Sequence, residues 1–139
     1  MSTDIFSIVG SALNAQNARM SAIASNLANV DSITPPGGTP YRAHEVVFEA
    51  APVTGNDGTS PDLGVNIAGT VQSNAAPVQK YDPGNPYANA DGYVTASNVS
   101  QPNEMVDLID SSNSYAASVA VLQQASRIDQ QMLASFQVS

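Results

Sequence analysis

Cysteine is absent from the 139 residues. This excludes disulfide staples, thiol catalysis and thiolate metal sites, and fits an oxidising or a reducing compartment equally. Basic side chains are scarce too: Arg19, Arg42, Lys80 and Arg127 stand against 12 carboxylates, for a formal charge of -8. Four bases spread over the whole chain cannot form the phosphate-neutralising patch that nucleic-acid binding needs, so no nucleic-acid partner is expected. No uninterrupted apolar run reaches the roughly 18 to 20 residues of a membrane span, and no basic segment precedes an apolar core at the N-terminus. Neither membrane insertion nor a cleaved signal peptide is expected.

Proline and glycine are nearly missing from both ends. All nine prolines and eight of the nine glycines lie between Val30 and Met105. Long helices can therefore form at the ends, while the punctuated middle must turn often. The length suits about one domain. The expected fold class is α+β: two long terminal helices paired as a coiled coil, with a small irregular β-rich insert between them. The expected divisions are 1–34, 35–99 and 100–139, the last packing with the first as one discontinuous domain. Charge follows this plan. Residues 31–100 hold seven acids against Arg42 and Lys80, which makes the insert the solvated face.

In residues 4–30, Phe6, Val9, Leu13, Gln16, Met20, Ile23, Leu27 and Val30 recur at alternating steps of three and four, which on a helix forms one narrow seam. Between them stand mostly Ala, Ser and Asn, which allow close approach but are weak helix formers apart from Ala. Ser2 or Thr3 can cap this helix. At 1.5 Å per residue the rod would be about 40 Å long, and alone it would be marginal. Its natural partner is the other end of the chain. There Ser100 can cap a helix that tolerates Pro102 in its first turn and places Glu104, Asp107 and Asp110 near its positive end. Met105, Leu108, Ile109, Tyr115, Val119, Leu122, Ile128, Met132, Leu133 and Phe136 make a stripe wider than a strict seam. A helix with so broad an apolar side can touch more than one neighbour, which points to assembly. An ordinary intramolecular hairpin core is the plainer reading of the same pattern. Against it stands the polar position Gln16, of a kind that fixes register in a coiled coil.

Within the insert, the PPGG run of residues 35–38 and the Pro40 that follows exclude regular structure over 29–41. Strands are expected over 42–50, over 64–72 with a bulge near Gly69, around 78–81 and over 92–95, with a loop over 52–63.

None of the residues that could carry chemistry forms a convincing set. His44 is the only histidine and has no evident nucleophile or metal partner, so it is expected to be an exposed strand residue. Glu45 and Glu49 share a strand face but would lie roughly 13 Å apart, too far for glycoside hydrolysis. Residues 87–92 echo the middle of a calcium loop, yet the charges that such a loop needs at its first and twelfth positions are missing. A Gly92 turn whose Asn and Asp side chains bond their own backbone explains the same letters. No catalytic residue, cofactor or metal is expected.

One stretch is more specific. The run Ser25, Asn26, Leu27, Ala28, Asn29, preceded by Ser11, Ala12 and Leu13, resembles the N-terminal signature of the bacterial flagellar rod and hook proteins. Further along, Pro40-Tyr41-Arg42-Ala43, Tyr81-Asp82-Pro83-Gly84-Asn85-Pro86, Gly92-Tyr93-Val94, Asn98-Val99 and Glu104-Met105-Val106 follow in the same order, and the short chain resembles the proximal-rod branch of that family. In the last helix Tyr115 matches the family pattern, whereas the usual Arg before it and Asn after it are replaced. The resemblance implies a structural, non-enzymatic subunit of the periplasmic rod. Such a subunit is exported without a cleaved signal peptide and has its terminal helices in an inner tube around the export channel, where the rod transmits motor torque. It also implies partners: further copies of the chain, axial subunits of the FlgB, FlgF, FlgG and FliE type, and the export apparatus during secretion. The expected assembly seam is then Phe6, Val9, Leu13, Met20, Ile23, Leu27 and Val30 with Met105, Leu108, Tyr115, Val119, Leu122, Ile128, Met132 and Phe136. A soluble binding or export-adaptor module with a helical-hairpin stem is the competing expectation.

Overall fold

The computed structural model describes residues 2–53 and 62–137. Helix α1 (Ser2–Ala28) is followed by strands β1 (Ile33–Thr34), β2 (His44–Val53), β3 (Asp62–Gln72), β4 (Val78–Tyr81) and β5 (Tyr93–Ala96), and then by helix α2 (Gln101–Gln137). The architecture is α+β, with a β-rich region between two long helices.

Helix α1 stops because its last turn tightens. Asn29 N–H and Val30 N–H bond back three residues to the carbonyls of Asn26 and Leu27, and the Asn29 side chain takes the Ser25 carbonyl at 2.8 Å. Carbonyls left over at a helix end are thus satisfied locally. Val30, expected as the last seam position, consequently lies in the turn beyond the helix. The cap expected at Ser2 or Thr3 falls on side chains outside the described ones, and Ser2 is already helical. Helix α2 starts as expected, directly after Ser100, whose carbonyl accepts from Glu104 N–H at 3.0 Å.

The strands form two antiparallel sheets. In the first, β5 is central, with β1 and β4 on either side. The second is the β2–β3 hairpin, whose register shifts between Val47, opposite Gly69, and Phe48, opposite Ile67. Ala68 is therefore the bulged residue, one position from the expected site. Strand β1 was not expected. Its two residues pair with Ala96 and Thr95 just before the chain turns at residues 35–38. In that turn Gly38 N–H bonds the Pro35 carbonyl and Gly37 has φ of 81°, the geometry of a type II turn, so proline and glycine end the strand without preventing it. Of the loop expected over 52–63, residues 54–61 lie outside the described ones, and Pro52, Val53, Asp62 and Leu63 belong to the hairpin.

The core is built from small side chains. Val94, Ala96, Ser97 and Val99 are buried along and just after β5, and Val9, Ala15, Ile23 and Asn26 along α1. Helix α1 lies between two neighbours, α2 and the β2–β3 hairpin. Ser11 ties it to the hairpin, since its hydroxyl accepts from Val65 N–H at 3.1 Å. Ala and Ser at these contacts let backbones approach closely, which replaces volume by proximity.

Candidate assembly interface

The order of contacts along the helices makes the pair antiparallel. Arg19 reaches Asp107 at 3.3 Å, Asn26 reaches Glu104 at 3.0 Å, and Phe6 lines a groove with Leu122, Ser126, Arg127 and Gln130. The Arg19–Asp107 pair is about half exposed and is worth little by itself. The three contacts together define a register that brings Gln16 and Ser111 to about the same level. Gln16 Oε1 and Ser111 Oγ are both buried, and among the described residues neither has a hydrogen-bond partner. Two buried polar atoms without a bond among the described residues thus lie at about the same level, one on each helix.

Helix α2 is about 55 Å long and α1 about 40 Å. With Phe6 level with residues 122 to 130, the final turns of α2 run on past the start of α1. Residues 131–136 are all exposed, with Leu133 at 64% and Phe136 at 79%. The expected seam thus divides. Val9 and Ile23 are buried; Phe6, Leu13, Met20, Leu27, Leu108, Tyr115, Val119 and Leu122 are half-buried; Met105, Ile128, Met132 and Phe136 face outward, together with Val106, Ile109, Val121 and Leu133.

At the other end of the stem, α1, α2 and the insert meet on one side chain. Asn26, 1% exposed, donates from Nδ2 to the His44 carbonyl (2.9 Å) and to Glu104 Oε2, while its Oδ1 accepts from His44 N–H (2.8 Å) and Tyr41 OH (3.1 Å). Tyr41 OH also lies 3.1 Å from Ser25 Oγ and from His44 Nδ1. The His44 ring packs against Tyr41 and meets Gln72 Nε2 through Nε2. Position 44 is therefore a half-buried joint, not the exposed strand residue expected, because β2 begins where the strand crosses α1. Asn98 acts similarly for the insert. Its side chain accepts from Ala43 N–H at 2.7 Å and donates to the Ala75 carbonyl at 2.9 Å. The motif residues Ser25, Asn26 and Asn29 thus have concrete partners, whereas Ala28 is exposed and Leu27 half-buried. Asn26 and Asn98 escaped reading by periodicity, since asparagines add nothing to an apolar pattern. The only sequence signal for Asn26 was its place in the motif.

Beside this joint a cavity of ≈ 250 Å³ is lined by Arg19, Ile23, His44, Phe48, Glu104 and Asp107, among others. Within it Arg19 pairs with Asp107 and Glu104 accepts from Asn26, and among the described residues no cluster of three or more His, Cys, Asp or Glu side chains could hold a metal. Glu45 and Glu49 are exposed on β2. No described helix is long and apolar enough to cross a membrane. The arrangement is one for holding parts together.

Two family models match: "Flagella basal body rod protein" over residues 7–35, and "Flagellar basal body rod FlgEFG protein C-terminal" over residues 90–135. They fall on α1 with its exit turn, and on β5 with nearly all of α2. Among curated proteins, the chain is 47% identical over 119 residues to the flagellar basal-body rod protein FlgC of Escherichia coli, covering 86% of each chain. FlgC of Salmonella typhimurium is equally similar, 47% over the same share of each chain. FlgC of Borreliella burgdorferi is 32% identical over 146 residues, covering 94% of each. With both helical ends and almost the whole length matched at this identity, the chain belongs to the FlgC family of flagellar basal-body rod proteins, a structural and non-enzymatic family.

Proposed function

We propose that the chain is a rod subunit whose two helices enter a tube wall as a coiled coil, packing against further copies of itself and against axial subunits of the FlgB, FlgF, FlgG and FliE type. In this reading the stem, residues 1–34 with 100–139, forms the inner layer around the export channel, and the insert, residues 35–99, stands outside it in the periplasm. Torque then passes through many packed side chains rather than through any single bond. The observation that carries the reading is the outward-facing apolar side of α2, together with its overhang past the start of α1. A single chain leaves Met132, Leu133 and Phe136 in water, and neighbouring helices would cover them.

Leu133→Asp and Phe136→Asp test this, because residues so exposed contribute little to the isolated fold. The expected result is an unchanged melting temperature of the purified chain with loss of motility and of incorporation into isolated basal bodies. Leu27→Asp, in the half-buried part of the stem, should also abolish assembly. Motile cells with normally composed basal bodies, carrying either end variant, would overturn the reading.

A further inference from the structure

The connector between β4 and β5 is held more tightly than its exposure requires. Asp82 N–H bonds the Gly92 carbonyl, Asn85 N–H the Asp82 carbonyl, Ala88 N–H the Asn85 carbonyl, and Asn89 N–H the Tyr93 carbonyl. Side chains complete the frame. Asn85 Oδ1 accepts from Tyr87 N–H, and Asn89 Oδ1 accepts from both Asp91 N–H (3.0 Å) and Tyr93 N–H (2.9 Å). Gly92 turns with φ of 81°, and a Cβ there would lie 2.9 Å from the Tyr81 ring and 3.2 Å from Pro83. Tyr81 therefore rests on this frame, and the Tyr93 ring meets it edge-on at 5.3 Å.

Both rings nonetheless face solvent. Tyr81 is 65% exposed and Tyr93 43%. The two are cross-strand partners, so they share the face of the sheet opposite buried Val94, and all of β4 is exposed. A rigid frame under exposed tyrosines loses little entropy on binding and presents large rings, which are the properties of a binding surface.

Charge decides what kind of partner fits. Asp91, exposed, adjoins Gly92 beneath the Tyr81 ring, whereas Asp82 is half-buried and its Oδ2 accepts from Asn85 Nδ2 at 3.3 Å. Lys80 lies on the opposite face by strand alternation. A second copy of this chain is a poor occupant, since the insert carries six acids against two bases and would repel itself. A guanidinium satisfies both features at once, stacking flat on a tyrosine ring while its N–H fork reaches a carboxylate.

We propose that the Tyr81–Tyr93 face is a docking surface for an arginine-bearing segment of a different protein. It is separate from the helical stem, so it stands or falls independently of the packing proposed for the helices.

The test is a titration of the ¹⁵N-labelled full chain with an acetylated, amidated Gly-Arg-Gly-Arg-Gly peptide, followed by amide shifts. Peptides with lysine or citrulline in place of arginine, and tri-N-acetylglucosamine, serve as comparisons. Saturable shifts at Tyr81, Asp91, Gly92 and Tyr93 are expected, weakening about fivefold in Tyr81→Ala and little in Tyr81→Phe. Asp91→Asn should weaken binding and flatten its salt dependence. Spectra of the variants that match the parent elsewhere establish that the fold is intact. Three outcomes overturn the proposal: no saturable shift, shifts equal for lysine and arginine and unchanged by Tyr81→Ala, or shifts produced by the sugar and not by the arginine peptide. The second would reduce the face to diffuse attraction toward an acidic surface, and the third would assign it to glycan.

Discussion

Asn26 has two N–H donors and one carbonyl oxygen with two lone pairs, and all four are used by partners on α2, at the start of β2 and on Tyr41. No other amide side chain reaches the same geometry from that backbone position: glutamine is one methylene too long, and aspartate lacks the donors. Asn26→Asp sets a carboxylate against the His44 carbonyl and Glu104, and should destabilise the chain by about 3 kcal/mol or more, measured by urea unfolding. Adding Glu104→Gln returns an amide donor and removes one charge, so the double variant should recover part of the loss. If it unfolds at the same urea concentration as the single variant, the Asn26–Glu104 bond is not what holds the joint. Ser111 presents the opposite case. Its hydroxyl is fully buried and lacks a partner among the described residues, so Ser111→Ala should leave stability unchanged or raise it by about 1 kcal/mol, visible as a higher melting temperature. A clear loss would mean that the hydroxyl is satisfied in solution, for example by water.

At the level of elements, β5 carries the insert. It is the middle strand of its sheet, and Val94 and Ala96 point into the core while Tyr93 points out and Thr95 is half-buried. Shortening Val94 to alanine should cost about 2 kcal/mol, and unfolding curves would measure it. Gly92→Ala places a methyl group against Tyr81 in a backbone conformation that alanine resists, with an expected cost of about 1 to 2 kcal/mol. A change in the Tyr81 ring signals in that variant would locate the strain. The strands themselves were legible in sequence, because alternating apolar residues between turn residues leave few other options. Their division into two sheets was not, since pairing β1 with β5 depends on contacts more than 60 residues apart. Helix α1 was legible in part. Counting large apolar residues selected Val9 and Ile23, which are buried, with Leu13, Met20 and Leu27, which are half-buried, and passed over Ala15 and Asn26, the two most buried of the described positions on α1. The pattern assumed one neighbour, and α1 has two.

For the molecule as a whole, the stem is long and thinly covered. Most of α2 is exposed or half-buried, and among the described residues the largest fully buried side chains are Val94, Asn26, Ser97 and Ser111. Burial of that kind offsets little of the entropy lost in ordering two long helices. The purified monomer should therefore show a weak helical signal by circular dichroism and a broad melt, with both sharpening on assembly. A fully helical monomer with a sharp, concentration-independent transition would favour the self-sufficient hairpin module instead.

The helix, insert, helix plan and the acidic middle follow from the sequence by itself, because proline, glycine and charge act where they stand in the chain. Membership in the rod family was legible in the same way, from short runs of letters in a fixed order. Tertiary structure alone decided that His44 is a joint residue, that Asn26 connects three elements, and that Tyr81 and Tyr93 meet on an open face. Each of these depends on which distant backbone a side chain meets, and periodicity, being a local property, holds no record of that.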